Sequence, residues 1–299
     1  MTTPFTRILV PFDGSEPAQV ALGYAIELGR AGAKIVLANI VNEVPLITQS
    51  ATTVAVYDPT PMIEALDGQA RVVLDEAESR CRGAQVDAIP ALFHEMPVAG
   101  IVRLAAAHGC DLIAMGTHAR EGVARAFLGS TAEGVLRSSH IPVLVARSGA
   151  PRAGMPIFRN VLVAVDDSEP SHAAVETAAE IARTLHAKLT LCNVADTRDL
   201  YDKAATYGYD PQEIADELLD QARGIVDEAS RRTALEPPPS TEVLEGEPVA
   251  VLVAEAARLA ADLIVIGSHG RSGLRRLALG SVAEHVVRRS PAPVLVVRT

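Results

Sequence analysis

Residue types that could bind an anion are concentrated in one stretch near the carboxyl end, residues 267–284. Gly267 and Gly270 begin it, and Gly280-Ser281 follows nine residues later. Its arginines are Arg271, Arg275 and Arg276. Glycines let a backbone approach a ligand closely, and free N–H groups at a helix start attract anions. The stretch therefore predicts a phosphate-binding loop.

The elements on either side of this loop would position it. The run Asp262–Ile266 is apolar and rich in β-branched residues, which is typical of a buried parallel strand. From Val282 onward, apolar residues recur at helical spacing and basic residues come last. We predict a strand, a glycine loop and a helix that begins at Gly280-Ser281.

The familiar catalytic and metal-binding motifs do not match. The loop lacks the lysine of a Walker A motif, and it is too late in the chain for a first-turn dinucleotide fingerprint. Gly-x-Ser-x-Gly is absent, and the eight histidines show no metal-ligand spacing. We expect no catalytic residue and no protein-bound metal.

The glycine spacing resembles the nucleotide-binding signature of the universal stress protein family, Gly-x2-Gly-x9-Gly-Ser. An opening strand that ends in aspartate, a Gly-x-Pro before the penultimate helix and a closing Pro-Val-Leu-Val-Val strand also resemble it. Together these features cover nearly the whole chain. The resemblance implies cytosolic stress adaptation with ATP as the ligand, with or without Mg²⁺ held by its phosphates and water.

The pattern occurs twice, with Asp13 matching Asp166 and Gly116 matching Gly267. The offset between copies drifts from 153 to 151, so the copies are colinear. We predict domains at 1–148, with a degenerate nucleotide loop, and at 157–299, with a complete one. A Pro/Gly linker at 149–156 joins them.

Strands alternate with helices in each copy. In the first copy we predict strands at 8–12, 34–41 and 85–93 and helices at 17–30, 62–82 and 98–108; in the second, a helix at 211–232 and a strand at 241–244. This alternation predicts an α/β fold of two tandem doubly wound domains. Each would have a five-stranded parallel sheet in the order 3-2-1-4-5, with helices on both faces. Ligands bind such sheets at the carboxyl ends of the strands, where the strand order reverses.

Composition limits the other possibilities. The 299 residues suffice for two cores, and aromatic residues make up 3%. The net charge of −10 disfavours nucleic-acid and anionic-membrane partners. The three scattered cysteines, Cys81, Cys110 and Cys192, indicate small buried thiols in a reducing compartment. With no signal peptide or membrane-spanning run in the sequence, we expect a cytoplasmic protein.

The candidate nucleotide-binding residues follow from the resemblance, which implies that Asp166 contacts the adenosine part of ATP and that Ile40 and Val194 line the adenine pocket. Asp167 and Ser168 are better placed than Asp166 to cap the next helix. In the second copy the candidates are Ala164, Val165, Asp166, Val194, Ile266, Gly267, His269, Gly270, Arg271, Gly280, Ser281 and Val282. In the first copy they are Pro11, Phe12, Asp13, Ile40, Gly116, His118, Gly129, Ser130 and Thr131. His118 and His269 are equally consistent with a phosphate contact and with a solvated position, whereas Asn39 and Asn193 are expected to satisfy backbone groups rather than bind a ligand.

The first copy departs from the signature at Ala119, which replaces the second glycine. If that position needs a left-handed backbone, alanine costs roughly 1–2 kcal/mol. Glu95-Met-Pro97 also replaces Gly246-Glu-Pro248. We expect the first site to bind nucleotide more weakly than the second, or not at all.

Three hypotheses remain open: an ATP-binding regulator or sensor with little or no hydrolysis, a protein-interaction module with vestigial sites, and a slow nucleotide hydrolase. The family resemblance implies dimerisation through the closing strands. The closing strands Val143–Arg147 and Val294–Arg298 would pair between two chains, as a homodimer, or within one chain, as a pseudo-dimer.

Overall fold

A computed structural model of the chain divides into two units, and the strands within each unit pair in parallel. The structure describes residues 4–43, 58–117, 128–146, 157–198, 200, 208, 210–270 and 279–299. The first unit contains β1 (Arg7–Pro11), α1 (Glu16–Arg30), β2 (Lys34–Val41), α2 (Thr60–Gly83), β3 (Ala88–His94), α3 (Pro97–Ala107), β4 (Leu112–Gly116), α4 (Ser130–Ser138) and β5 (Val143–Ala146). The second contains β6 (Asn160–Ala164), α5 (Glu169–Leu185), β7 (Lys188–Ala195), α6 (Pro211–Thr233), β8 (Ser240–Glu245), α7 (Pro248–Arg258), β9 (Leu263–Gly267), α8 (Ser281–Arg289) and β10 (Val294–Val297).

The strand order confirms the predicted fold. In the first unit the parallel pairs give the order β3-β2-β1-β4-β5. In the second they give β8-β7-β6-β9-β10. The order reverses beside β1 and beside β6, so the carboxyl ends of β1 and β4, and of β6 and β9, face the expected ligand sites.

Side-chain caps explain where four of the described helices begin. Ser15 and Ser168 cap α1 and α5 by accepting a backbone N–H of the first turn. The third strand begins at Ala88, three residues later than predicted, because the turn that closes α2 extends to Val86. The N–H groups of Ala84 and Val86 both donate to the carbonyl of Cys81. Turn geometry of this kind is not visible as hydrophobic periodicity.

The core of each unit consists of small aliphatic side chains on the strands, in agreement with the composition. All four residues of β5 and of β10 are buried. Cys81, Cys110 and Cys192 are buried and free, as expected. Burial raises the pKa of the Cys81 and Cys110 thiols to about 11 and that of Cys192 to about 12, so all three remain protonated at neutral pH. Within the described residues, no helix is long and apolar enough to cross a membrane.

An aspartate fixes the central strands of each unit at their amino ends. The Asp111 carboxylate accepts the N–H groups of Thr6 and Arg7, at 2.7 and 3.0 Å. The Asp262 carboxylate accepts those of Arg159 and Asn160, at 2.7 and 2.9 Å. Each pair of bonds joins the start of one central strand to the start of its neighbour, which sets the relative position of their carboxyl ends.

We expect Asp262→Ala to lower the free energy of unfolding of the second unit by about 1.5–3 kcal/mol, because two backbone donors lose a charged acceptor. Urea unfolding followed by circular dichroism measures this. Asp227→Ala, which removes an exposed acid from α6, should change stability by less than about 0.5 kcal/mol. Equal effects of the two substitutions would contradict the role given to Asp262.

Candidate functional site

A cavity of about 530 Å³ lies at the carboxyl ends of β6, β7 and β9 in the second unit. Among the described residues that line it are eleven of the twelve predicted for this copy: Ala164, Val165, Asp166, Val194, Ile266, Gly267, His269, Gly270, Gly280, Ser281 and Val282. Arg271 lies outside the described residues, as do Arg275 and Arg276. The structure thus brings the predicted residues together, while their role as ligand contacts stays a prediction.

Other residues that line this cavity were not predicted: Ser171, Cys192, Asn193, Asp196, Pro248, Leu252, Leu279 and Ala283. Leu252 lies one turn inside α7, and Ser171 lies in the first turn of α5. Their inclusion depends on how the helices pack against the sheet. The Gly-x-Pro at 246–248 was the sequence signal that could have identified the α7 contribution.

Gly267 and Gly270 have neighbours so close that a side chain would not fit at either position. A Cβ atom on Gly267 would lie 2.8 Å from the carbonyl carbon of Pro170 and 2.9 Å from the nitrogen of Ser171. A Cβ atom on Gly270 would lie 2.3 Å from Asp166 Oδ2. Gly270 does not have a left-handed backbone, so a left-handed conformation is not why this position needs glycine. It needs glycine because a larger residue would collide with the Asp166 carboxylate.

Hydrogen bonds within the turn after β6 hold Asp166. Its Oδ1 accepts the N–H of Ser168 at 3.1 Å and the hydroxyl of Ser168 at 2.6 Å. Its own N–H donates to Ser171 Oγ at 3.1 Å. Asp166 Oδ2 accepts no hydrogen bond from the described residues. The carboxylate is therefore fixed in place, with one oxygen that no described residue engages.

The other capping predictions have mixed outcomes. Ser168 caps α5, as expected, whereas Asp167 does not cap it. Asp167 has a left-handed backbone, with φ of 65°, and its Oδ1 lies 3.0 Å from His172 Nε2. The amides of Asn39 and Asn193 donate to the carbonyl oxygens of Phe12 and Val165, at 2.8 and 2.6 Å. This confirms that the asparagines serve the backbone.

The start of α8 presents backbone donors to the cavity. No side chain in the described part of the chain caps this helix, whose N-cap is Gly280. The N–H of Gly280 itself donates to the carbonyl of Ser268 at 2.7 Å. The next residues, Ser281, Val282 and Ala283, line the cavity. The first N–H groups of a helix lack partners within it, so this end is suited to an anion.

His269 borders the same cavity, and its Nδ1 lies 3.0 Å from Ser268 Oγ. The carbonyl oxygen of His269 lies 3.2 Å from Ser168 Oγ, which links the glycine loop to the turn after β6. No group of three or more His, Cys, Asp or Glu side chains among the described residues is arranged to hold a metal ion.

The corresponding cavity of the first unit is smaller, about 340 Å³. Larger side chains line it: Phe12 and Met115 stand where the second unit has Val165 and Ile266. Of the residues predicted for this copy, Pro11, Phe12, Asp13, Ile40, Gly116, Gly129, Ser130 and Thr131 line it. His118 and Ala119 lie outside the described residues.

Comparison with known proteins identifies two copies of one family. The model of the universal stress protein family matches residues 4–147 and 157–298. A curated universal stress protein of Staphylococcus haemolyticus is 35% identical over 153 residues, which is 48% of this chain and 87% of the relative.

Solved structures match across both copies. A universal stress protein from Archaeoglobus fulgidus is 25% identical, with a TM-score of 0.66, over 99% of this chain and 97% of that one. A Pseudomonas aeruginosa structure of the same family name, 18% identical with a TM-score of 0.61 over 98% of this chain and 93% of that one, shares the fold.

We expect Gly267→Ala to destabilise the second unit by about 1–3 kcal/mol, because the added methyl group meets backbone atoms of α5 that cannot move independently. Urea unfolding of the whole chain measures the change. The matched control is Gly224→Ala, in α6, where an added Cβ meets no described residue within 4 Å; it should stabilise the protein by roughly 0.5–1 kcal/mol. A neutral Gly267→Ala would contradict the close-packing explanation.

Proposed function

The chain belongs to the universal stress protein family, and from that premise we propose that it is a stress-response regulator whose second unit binds ATP with little or no hydrolysis. The observation that carries the proposal is the cavity at the ends of β6, β7 and β9, which combines an apolar end, a fixed carboxylate and a helix start that no described side chain caps. Its volume of about 530 Å³ is within the range of small-molecule sites.

The apolar end suits a nucleotide base. Cys192 and Val194 on β7 line it together with Pro248 and Leu252 on α7. Stacking a flat heterocycle there removes apolar surface from water. The opposite end, between the glycine loop and the start of α8, offers backbone N–H groups to phosphates. A nucleotide with its base over β7 and its phosphates over β9 would use both ends.

The carboxylates of the cavity favour binding over hydrolysis. Asp166 and Asp196 are the acidic residues of its described lining. Asp166 Oδ1 already accepts from Ser168, and Asp196 accepts from Arg198 Nε and Nη2, at 2.8 and 2.5 Å. Both carboxylates are thus already engaged by neighbouring groups of the chain, which supports a binding role for them.

The proposal has three further parts, which concern the first unit, Mg²⁺ and association. The first unit binds ATP more weakly, which its smaller cavity supports. Mg²⁺ accompanies ATP and is held by phosphates and water. The closing strands β5 and β10 mediate association, either of two chains or of the two units.

We expect isothermal titration calorimetry of the whole chain to show ATP binding that Gly270→Ala weakens about tenfold or more, because the methyl group would displace Asp166 from its position. Gly270→Ala also gives the second loop the alanine that the first loop has at 119. Gly83→Ala, where the described structure places nothing within 4 Å of the added Cβ, should leave the affinity unchanged.

The same samples test the alternatives. Phosphate release at enzymatic rates would show that the hydrolase hypothesis is right. No ATP binding at millimolar concentration would contradict the proposal and favour the interaction module.

A further inference from the structure

The order of the strands places Asp166 between the two ends of the cavity. β6 lies between β7 and β9 in the sheet. The apolar end is formed over β7, and the phosphate-binding end is formed beyond β9. A nucleotide that spans these two ends must therefore have its sugar in front of the residues that follow β6, where Asp166 lies.

One oxygen of Asp166 has no partner among the described residues. Its Oδ1 is occupied by Ser168, whereas Oδ2 accepts nothing from the described residues and lies beside Gly270 on the cavity wall. A carboxylate oxygen accepts hydrogen bonds and cannot donate them when ionised. The donors on the middle part of a nucleotide are the hydroxyls of its ribose.

The position of this oxygen depends on Ser171. Ser171 is 2% exposed and lines the cavity. Its Oγ accepts the backbone N–H of Asp166 at 3.1 Å, which fixes the residue from its main-chain side. Ser171 is itself held, because its own N–H donates to Ser168 Oγ at 3.3 Å and Gly267 packs against its backbone.

The first unit lacks this arrangement. Ala18 stands at the position of Ser171, so no hydroxyl accepts the N–H of Asp13 there. Asp13 is exposed, and its Oδ1 accepts only the N–H of Ser15 among the described residues, at 3.0 Å. The two units thus share the aspartate and differ in what orients it.

We propose that Ser171 is a positioning residue that directs Asp166 Oδ2 toward the sugar hydroxyls, so that the second site prefers ribonucleotides to deoxyribonucleotides. This inference rests on the proposed ATP binding. A hydroxyl that donates to a fixed carboxylate forms a charge-assisted hydrogen bond. Its strength depends on the direction of the carboxylate, which Ser171 determines through the backbone of Asp166.

The test is calorimetric titration of the whole chain with ATP, 2′-deoxy-ATP and 3′-deoxy-ATP. We expect the wild-type chain to bind ATP about tenfold tighter than at least one deoxynucleotide. Ser171→Ala should weaken ATP and reduce that preference to about threefold or less, with little change for that deoxynucleotide. Asp166→Asn should reduce the preference similarly.

The matched control is Thr177→Ala, which removes a hydroxyl from the same helix; in the described part of the chain this hydroxyl bonds only to the carbonyl of Ala173, at 2.8 Å. It should keep the wild-type preference. Because the preference compares ligands on one variant, a loss of folded protein does not alter it.

The outcomes separate this inference from the proposed function. If the wild-type chain binds ATP but Ser171→Ala weakens all three ligands equally, or none, the positioning role is wrong and ATP binding stands. If the wild-type chain binds all three ligands equally, selection by ribose is wrong. If it binds no ATP, both proposals are wrong.

Discussion

The candidate site depends on one close contact, that between the end of β9 and the first turn of α5. Gly267 has no side chain, so the backbone of Pro170 and Ser171 can approach to a distance that a Cβ atom would not permit. This contact brings the turn after β6 against the glycine loop, where Gly270 meets the Asp166 carboxylate. Closely packed backbone does not yield easily, so the carboxylate and the loop are held in a fixed relation. A cavity that is formed before ligand arrives loses less ordering entropy on binding.

The two units show how one fold can carry two different sites. Gly116 makes the equivalent approach to Pro17, with an added Cβ only 2.0 Å from the Pro17 carbonyl oxygen. The framework is therefore common to both copies. The differences are in the side chains that line the two cavities. Phe12 takes up more space in the first cavity than Val165 does in the second, and Ala18 lacks the hydroxyl that Ser171 supplies in the second. Duplication followed by such substitutions changes a site without changing the sheet beneath it.

Much of the fold and the outline of the site could be predicted from sequence, because both depend on local signals. Alternating apolar strands and helices indicated the sheet, and the glycine spacing located the loop. What could not be predicted depends on tertiary packing. Ser171 and Leu252 line the cavity only because of how their helices lie on the sheet, and nothing in the local sequence distinguishes Gly270 as a contact of Asp166 rather than a left-handed residue. The late start of β3 depends on the turn that ends α2.

The measurement that tests the central claim most directly is the number and identity of nucleotides held per chain. The protein would be purified, saturated with Mg-ATP, desalted and denatured, and the released nucleotide would be identified by chromatography and counted. We expect about one adenine nucleotide per chain, lost in Gly280→Ala, where an added Cβ would lie 3.0 Å from His269 Cα, and retained in Gly129→Val. Two nucleotides per chain would contradict the difference between the units, and none would contradict the nucleotide site itself.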